Sequence, residues 1–357
     1  MDTKATPYSS LKIFAHPEKL TAVKNGERTA PIYIRIKPTN VCNHRCYYCS
    51  YADDQLGLRD NVNPREQIAW EKMVEILNDL GELGVKAVTF SGGGEPLVYP
   101  KITTAMELVL EKGIDLSIIT NGQLLNSERA EILTRSKWVR ISMDSARRDT
   151  YARIRGIATE SFDKVCENIS RFAGLKQPGC ELGINFVINH ENAAEVYQVA
   201  KLVSDLGVNH IKYTARVTKD LDQYHEQFKQ QAIEQIHRAV VDFVRPGFSI
   251  INKYEEDFES CAVFHRPYSR CVIKDLFTVI AADSKVYFCH DKAYVTSGIV
   301  GDLTQMSFKE LWFSEGVKQR YQSFDATKEC CHHCVYDDRN ILLNNFLSLN
   351  QNHINFI

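Results

Sequence analysis

The feature that most restricts this chain is the spacing of its cysteines. Cys42-Asn43-His44-Arg45-Cys46-Tyr47-Tyr48-Cys49 leaves three residues between the first two thiols and two between the next. Thiolates this close can hold three irons of one cubane cluster, because soft sulfur ligands suit Fe–S centres. No fourth cysteine is near, so one iron would stay open. A zinc knuckle is the competing reading; it needs four ligands, and His44 could serve. The chain has 11 cysteines among 357 residues. Their number is odd, and the polar stretch Met1 to Leu20 carries no apolar export signal, which argues against a disulfide framework. Clustered thiols without export point to metal or catalysis and to a cytoplasmic protein.

The surrounding pattern is α/β. Short apolar runs at Ile32 to Lys37, Ala87 to Ser91, Leu116 to Thr120, Val139 to Met143, Leu182 to Ile188 and His210 to Tyr213 alternate with helical stripes. Met73, Ile76, Leu77 and Leu80 form one stripe, with Asn63-Pro64-Arg65-Glu66 read as its N-terminal cap. Such alternation implies a parallel sheet with βα crossovers. Six units are too few for a closed eight-stranded barrel, so a partial (β/α)6 TIM-like barrel is expected. A charged helical connector is expected at 219–260. From 261 to 340 the pattern becomes α+β: Phe277 to Ala282 and Lys285 to Cys289 flank Asp283-Ser284 as a hairpin, a helix spans Ser307 to Phe324, and a knot Cys330-Cys331-His332-His333-Cys334 follows. An N-terminal extension, 1–30, and a tail, 341–357, complete the division, with the core at 31–218.

Lys plus Arg total 43 against 45 Asp plus Glu, for a net charge of -2, which argues against a dedicated nucleic-acid binder but not against a nucleotide or tRNA substrate. No apolar run approaches the roughly 18 residues of a membrane span.

Polar residues cluster at the C-terminal ends of the expected strands, where α/β sheets bind ligands. Ser91-Gly92-Gly93-Gly94-Glu95-Pro96 follows the second, Thr120-Asn121-Gly122 the third, and Ser142-Met143-Asp144-Ser145 the fourth. Glycines allow close backbone approach, and Glu95 suits an ammonium group. With the three-cysteine loop, this set resembles the radical S-adenosylmethionine (SAM) enzymes. The resemblance implies a [4Fe–4S] cluster on Cys42, Cys46 and Cys49, with SAM on its open iron. It implies SAM contacts from Tyr48, Gly93, Gly94, Glu95, Asn121, Ser142, Asp144 and Asn185 (or Asn189). Arg155 is either a partner of the SAM carboxylate or a surface arginine.

Cys271 and Cys289 bracket the hairpin, and Cys331 and Cys334 form a CxxC. This resembles the Twitch form of the SPASM domain, which carries an auxiliary [4Fe–4S] cluster; zinc is the competing metal. The doubled Cys330-Cys331 leaves the third ligand open, although CxxC spacing favours Cys331. A glycine common in that hairpin is missing. Cys330 and Cys261 are candidate hydrogen donors to a substrate radical, Cys166 is read as core, and Cys180 as an incidental loop thiol. Two [4Fe–4S] clusters, SAM and an electron donor such as flavodoxin or ferredoxin are thus expected.

For the reaction, the first expectation is dehydrogenation of a sugar, aminocyclitol or similar small metabolite. The cysteine spacing looks like that of a Twitch-group aminocyclitol dehydrogenase. Only 41 residues precede Cys42, whereas many peptide maturases carry a longer recognition module. The main alternative is a peptide maturase that crosslinks or epimerises. GTP cyclisation ranks lower, because the C-terminal Gly-Gly of that family is missing. A non-catalytic Fe–S or zinc scaffold is the reading from another class.

Overall fold

The computed structural model describes residues 9–52, 62–218, 220–261, 266–330, 334–350 and 352–355. Cys331, His332 and His333 lie outside the described residues, as does the side chain of Cys261.

Ten strands form one sheet: β1 Tyr33–Ile36, β2 Ala87–Phe90, β3 Asp115–Thr120, β4 Trp138–Ser142, β5 Glu181–Ile188, β6 His210–Ala215, β7 Ser249–Asn252, β8 Phe277–Ile280, β9 Lys285–Tyr287 and β10 Ile299–Asp302. Their order is β10-β9-β8-β1-β2-β3-β4-β5-β6-β7. β1 through β7 run parallel, and β8 also joins β1 in parallel. β8, β9 and β10 form an antiparallel meander. All six strands expected from the sequence are present. The hairpin is present too, but it extends the main sheet instead of standing apart. The segment read as a connector contains helix Lys229–Phe243 and a further strand, β7.

One face of the sheet is apolar. Ile34, Ile36, Val88, Phe90, Ile118, Val139, Ile141, Ile184 and Ile211 pack against Met73, Leu80, Met106, Val109, Val165, Ile169, Val199 and Val203 from the crossover helices. Side chains alternate along a strand, so the intervening residues share the other face. That face is polar. Arg35 on β1, Arg140 on β4 and Lys212 on β6 are among the residues it carries.

Two local readings change. The helix starts at Trp70 and not at Pro64, and its capping residue Ala69 supplies no side-chain bond. Asn63 to Glu66 forms a turn that braces the loop before Cys42: the Asn40 N–H donates to the Glu66 carbonyl at 2.9 Å, and Asn40 Nδ2 to the Asn63 carbonyl at 2.9 Å. The helix expected over Ser307 to Phe324 is two, Phe308–Trp312 and Glu315–Gln322, with Ser314 capping the second.

Both ends of the chain brace the hairpin. Leu20 and Val23 from helix Pro17–Lys24 join Val272, Leu276, Phe277, Tyr287 and Leu343 in a second core. Leu343 belongs to helix Asp337–Leu347, so the tail docks on the body.

Candidate functional site

The cysteine loop leaves β1 at its C-terminal end and is held from two sides. On one side, Gly94 and Glu95 donate backbone N–H groups to the Thr39 and Val41 carbonyls, both at 3.0 Å. A Cβ on Gly94 would lie 2.2 Å from the Val41 carbonyl oxygen, and one on Gly93 would lie 2.1 Å from Asn40 Oδ1. These glycines therefore seat the protein's own loop. On the other side, the Arg45 N–H donates to the Arg155 carbonyl at 2.8 Å. Gly156, with φ of 61°, ends helix Arg148–Arg155 in the left-handed region. A Cβ there would also strike the Arg45 carbonyl oxygen at 2.7 Å.

Glu95 is buried beneath this loop. It accepts from Thr120 Oγ1 at 2.6 Å, the Leu97 N–H at 3.0 Å and the Asn121 N–H at 2.7 Å. Burial raises its carboxyl above the usual range, and those donors pull it back. Asn121 Nδ2 donates to Asn43 Oδ1 at 2.7 Å, and Gln123 Oε1 lies 2.8 Å from His44 Nε2. Sequence reasoning missed Asn43, Thr120 and Gln123, although each adjoins a residue it named. His44 is thereby engaged with Gln123. Ser142 and Asn185 are register partners on β4 and β5, half-buried on the polar face.

Asp144, Arg155 and Tyr48 form a buried triad. Tyr48 donates to Asp144 Oδ2, and Arg155 Nη2 donates to the same oxygen. The Val187 N–H holds Asp144 Oδ1 at 2.8 Å. Arg155 is only 4% exposed, so it is not a surface arginine. Its Nη1 reaches Cys46 Sγ at 3.5 Å, and its Nε is buried without a hydrogen-bond partner. The arginine thus ties the thiol loop to the end of β4 and keeps one donor uncommitted. Burial pushes the Cys42 thiol up to about 11. Burial raises the Cys46 thiol as well, and coordination to a metal reverses that preference for the protonated form.

A second thiol site lies beside the hairpin. Cys271, Cys289, Cys330 and Cys334 line one cavity of about 450 Å³, open to solvent, together with Arg266, Lys274 and Lys292. Four thiols with cations nearby fit a cluster carrying net negative charge. Among the described residues, no three His, Cys, Asp or Glu side chains meet closely enough to hold one bare ion. The cavity wall is tied together: Arg266 Nη1 donates to the Cys330 carbonyl at 2.7 Å, and Asn340 Nδ2 reaches Cys271 Sγ at 3.5 Å. Of the doubled pair, Cys330 lines the cavity. Cys166 packs against the main core as expected. Cys180 lies in the loop before β5, as expected, and is buried against the core at 3% exposure.

Family models span both groups of thiols. Residues 36–203 match the radical SAM superfamily and residues 271–335 match SPASM, an iron–sulfur cluster-binding domain. The chain carries a radical SAM domain followed by a C-terminal SPASM domain; this pairing implies SAM and two [4Fe–4S] clusters as cofactors.

Among known proteins, the chain is 28% identical over 240 residues to a probable GTP 3′,8-cyclase of Archaeoglobus fulgidus, covering 60% of this chain and 76% of that protein. It spans about half (54%) of the corresponding Saccharolobus solfataricus protein. It is 23% identical over 306 residues to the PqqA peptide cyclase of Gluconobacter oxydans, covering 83% of this chain and 81% of that one. Among solved structures, Streptococcus suis SuiB bound to its precursor peptide SuiA superposes with a TM-score of 0.63 at 16% identity, covering 94% of this chain and 79% of that one. At that identity the likeness is one of fold. Among the described residues, no helix is long and apolar enough to cross a membrane.

Proposed function

We propose that this chain is a radical SAM enzyme that modifies a peptide, by crosslinking or epimerisation. The observation that carries this reading is the alignment with a peptide cyclase through both domains, 83% of this chain. The GTP-cyclase alignment stops at 60%. Peptide modification therefore replaces dehydrogenation of a small metabolite as the first reading. The short stretch before Cys42, which had favoured the small molecule, carries no weight against the alignment.

In this reading Cys42, Cys46 and Cys49 hold the SAM-binding cluster. Cys271, Cys289, Cys334 and one thiol of Cys330-Cys331 hold the auxiliary one. Bound there, the cluster and SAM would supply the radical chemistry that removes a hydrogen atom from the substrate. Glu95 would supply the carboxylate for a SAM ammonium group. The uncommitted Nε of Arg155 is a donor at the same end of the barrel, with Asp144 and Tyr48 fixing the guanidinium. Ser142, Asn185 and Asn121 present polar groups on the same rim. The electron comes from a flavodoxin or ferredoxin.

The test uses anaerobically reconstituted protein with SAM, reductant and host extract fractionated by size. We expect 5′-deoxyadenosine to rise above the uncoupled background, and the rise to disappear after protease treatment of the extract. A protease-resistant small fraction that stimulates would return the assignment to a metabolite dehydrogenase. Bound zinc without iron or SAM cleavage would leave only the scaffold reading.

A further inference from the structure

Helix Asp337–Leu347 begins beyond the SPASM match, which ends at residue 335, yet it helps to wall the second thiol site. Asp337 and Asn340 share one side of that helix. Asp337 Oδ2 accepts from the Cys334 N–H at 2.7 Å, and its Oδ1 accepts from Arg266 Nε at 3.1 Å. Asn340 reaches a sulfur itself: its Nδ2 donates to Cys271 Sγ at 3.5 Å. Cys271 belongs to the ligand set whichever of Cys330 and Cys331 completes it.

Asn340 is 0% exposed, and its partners fix which way its amide faces. The Asn340 oxygen accepts the Ile273 N–H at 3.0 Å. A backbone N–H can only donate, so the oxygen faces Ile273 and the amide nitrogen faces the sulfur. The same nitrogen donates to the Tyr268 hydroxyl oxygen at 3.4 Å, and that hydroxyl donates onward to Asp337 Oδ1. The two N–H bonds of Asn340 thus have one acceptor each, a phenol oxygen and a cysteine sulfur. Held by backbone on one side and by Tyr268 on the other, the donor is in place before any electron arrives. The Tyr336 N–H also donates to a thiol, Cys334 Sγ at 3.4 Å, but that bond belongs to the main chain just after the cysteine. The bond from Asn340 comes from a side chain brought in by tertiary packing, in a buried setting where a hydrogen bond is electrostatically stronger than in water.

We infer that Asn340 is a positioning residue for the redox role of the second site: its amide N–H on Cys271 raises the reduction potential of the cluster held there. Reduction adds negative charge to a cluster and its sulfurs. An N–H fixed on a sulfur stabilises the reduced form more than the oxidised one, so the site accepts an electron more readily with the amide than without it. The inference rests on reading the second site as a [4Fe–4S] cluster and is independent of what the substrate is.

The experiment is a redox titration followed by electron paramagnetic resonance. It uses the full chain carrying Cys42→Ala, Cys46→Ala and Cys49→Ala, which leaves one cluster to observe. Asn340→Leu, added to that parent, keeps the side-chain size and removes the donor. We expect it to shift the reduction equilibrium about tenfold toward the oxidised cluster, a potential lower by about 59 mV for one electron, with the iron content unchanged. Asn344→Ala is the control. It removes a bond from the same helix to the Arg270 carbonyl, 3.0 Å long, that involves no sulfur, and its potential should equal the parent's. An unchanged potential in Asn340→Leu, or the same shift in both variants, overturns the inference. If Asn340→Leu loses its iron, Asn340→Asp decides. It keeps an oxygen for the Ile273 N–H, loses the donor and adds negative charge, so its potential should fall at least as far; an unchanged potential overturns the inference. Zinc in place of iron at the second site of the parent overturns the cluster reading, and the inference with it.

Discussion

The two thiol sites of this molecule are built in opposite ways. Cys42, Cys46 and Cys49 sit on one loop, held by Gly94, Glu95 and the end of helix Arg148–Arg155. The cavity thiols come from before β8, after β9 and the segment around Cys330 and Cys334, across more than sixty residues of chain. The first site needs its scaffold mainly for the residues around it. The second exists only when the hairpin, the helices after it and the docked tail are in place. A cluster at the second site therefore also closes long loops, and closing long loops restricts the unfolded chain more than closing short ones.

Changing Cys42, Cys46 and Cys49 together to Ala gives the largest expected effect. SAM cleavage should vanish while about four irons per chain remain at the second site. Iron analysis and 5′-deoxyadenosine quantification read both halves, and retained cleavage would break the assignment. Cys334→Ala is the mirror experiment. It should remove the second-site iron, keep uncoupled SAM cleavage, and lower the unfolding midpoint more than the triple change does. A larger loss of stability from the triple change would refute the contrast in loop closure. The Cys330→Ala/Cys331→Ala double variant should also lose second-site iron, and the two single variants then show which thiol completes the set.

Smaller effects sharpen the comparison. Asp144→Asn leaves Arg155 buried without its counter-charge, and breaking such a pair costs about 3–5 kcal/mol. Urea unfolding should show that loss with second-site iron unchanged, because Arg155 touches Cys46 and not the cavity. The least effect concerns His225. It is buried against Tyr254, with its Nδ1 2.9 Å from the Tyr254 hydroxyl. Burial lowers its value from 6.5 to about 4. Over that window the unfolded chain binds the proton and the folded one does not, so the stability is present above about 6.5 and is lost as pH falls toward about 4. Between pH 7 and pH 5 we expect a loss of about 1–2 kcal/mol, absent in His225→Gln. A thermal scan at both pH values checks it.

Much of the fold was readable because the relevant strands are apolar runs between helical stripes. Leu182 to Ile188 and Val139 to Met143 could hardly be anything but buried strands. β7 was missed because Ser249–Asn252 is four residues long, lies at the sheet edge and is only partly buried. β10 is equally short, with an irregular register at Gly301. Pro64 misled because proline suits a helix start, yet here the same four residues form a turn whose carbonyls serve Asn40. At the site, Glu95 and Asp144 were readable from strand-end position. The commitment of Arg155 to Asp144 was not, since eleven residues and a helix turn separate them.

Sequence alone determined what depends on neighbours along the chain: the three-thiol loop after β1, the glycine segment after β2, the alternation of strands with helices, and the presence of a second group of cysteines. Tertiary structure decided what depends on non-local packing. It joined β8 to β1, so that the SPASM hairpin extends the core sheet. It gathered four thiols from separated segments around one cavity. Spacing encodes local chelation because bond lengths limit the reach of nearby residues. Which distant strands meet, and how far the sheet bends, emerges from the burial of the whole apolar face and is written in no single segment.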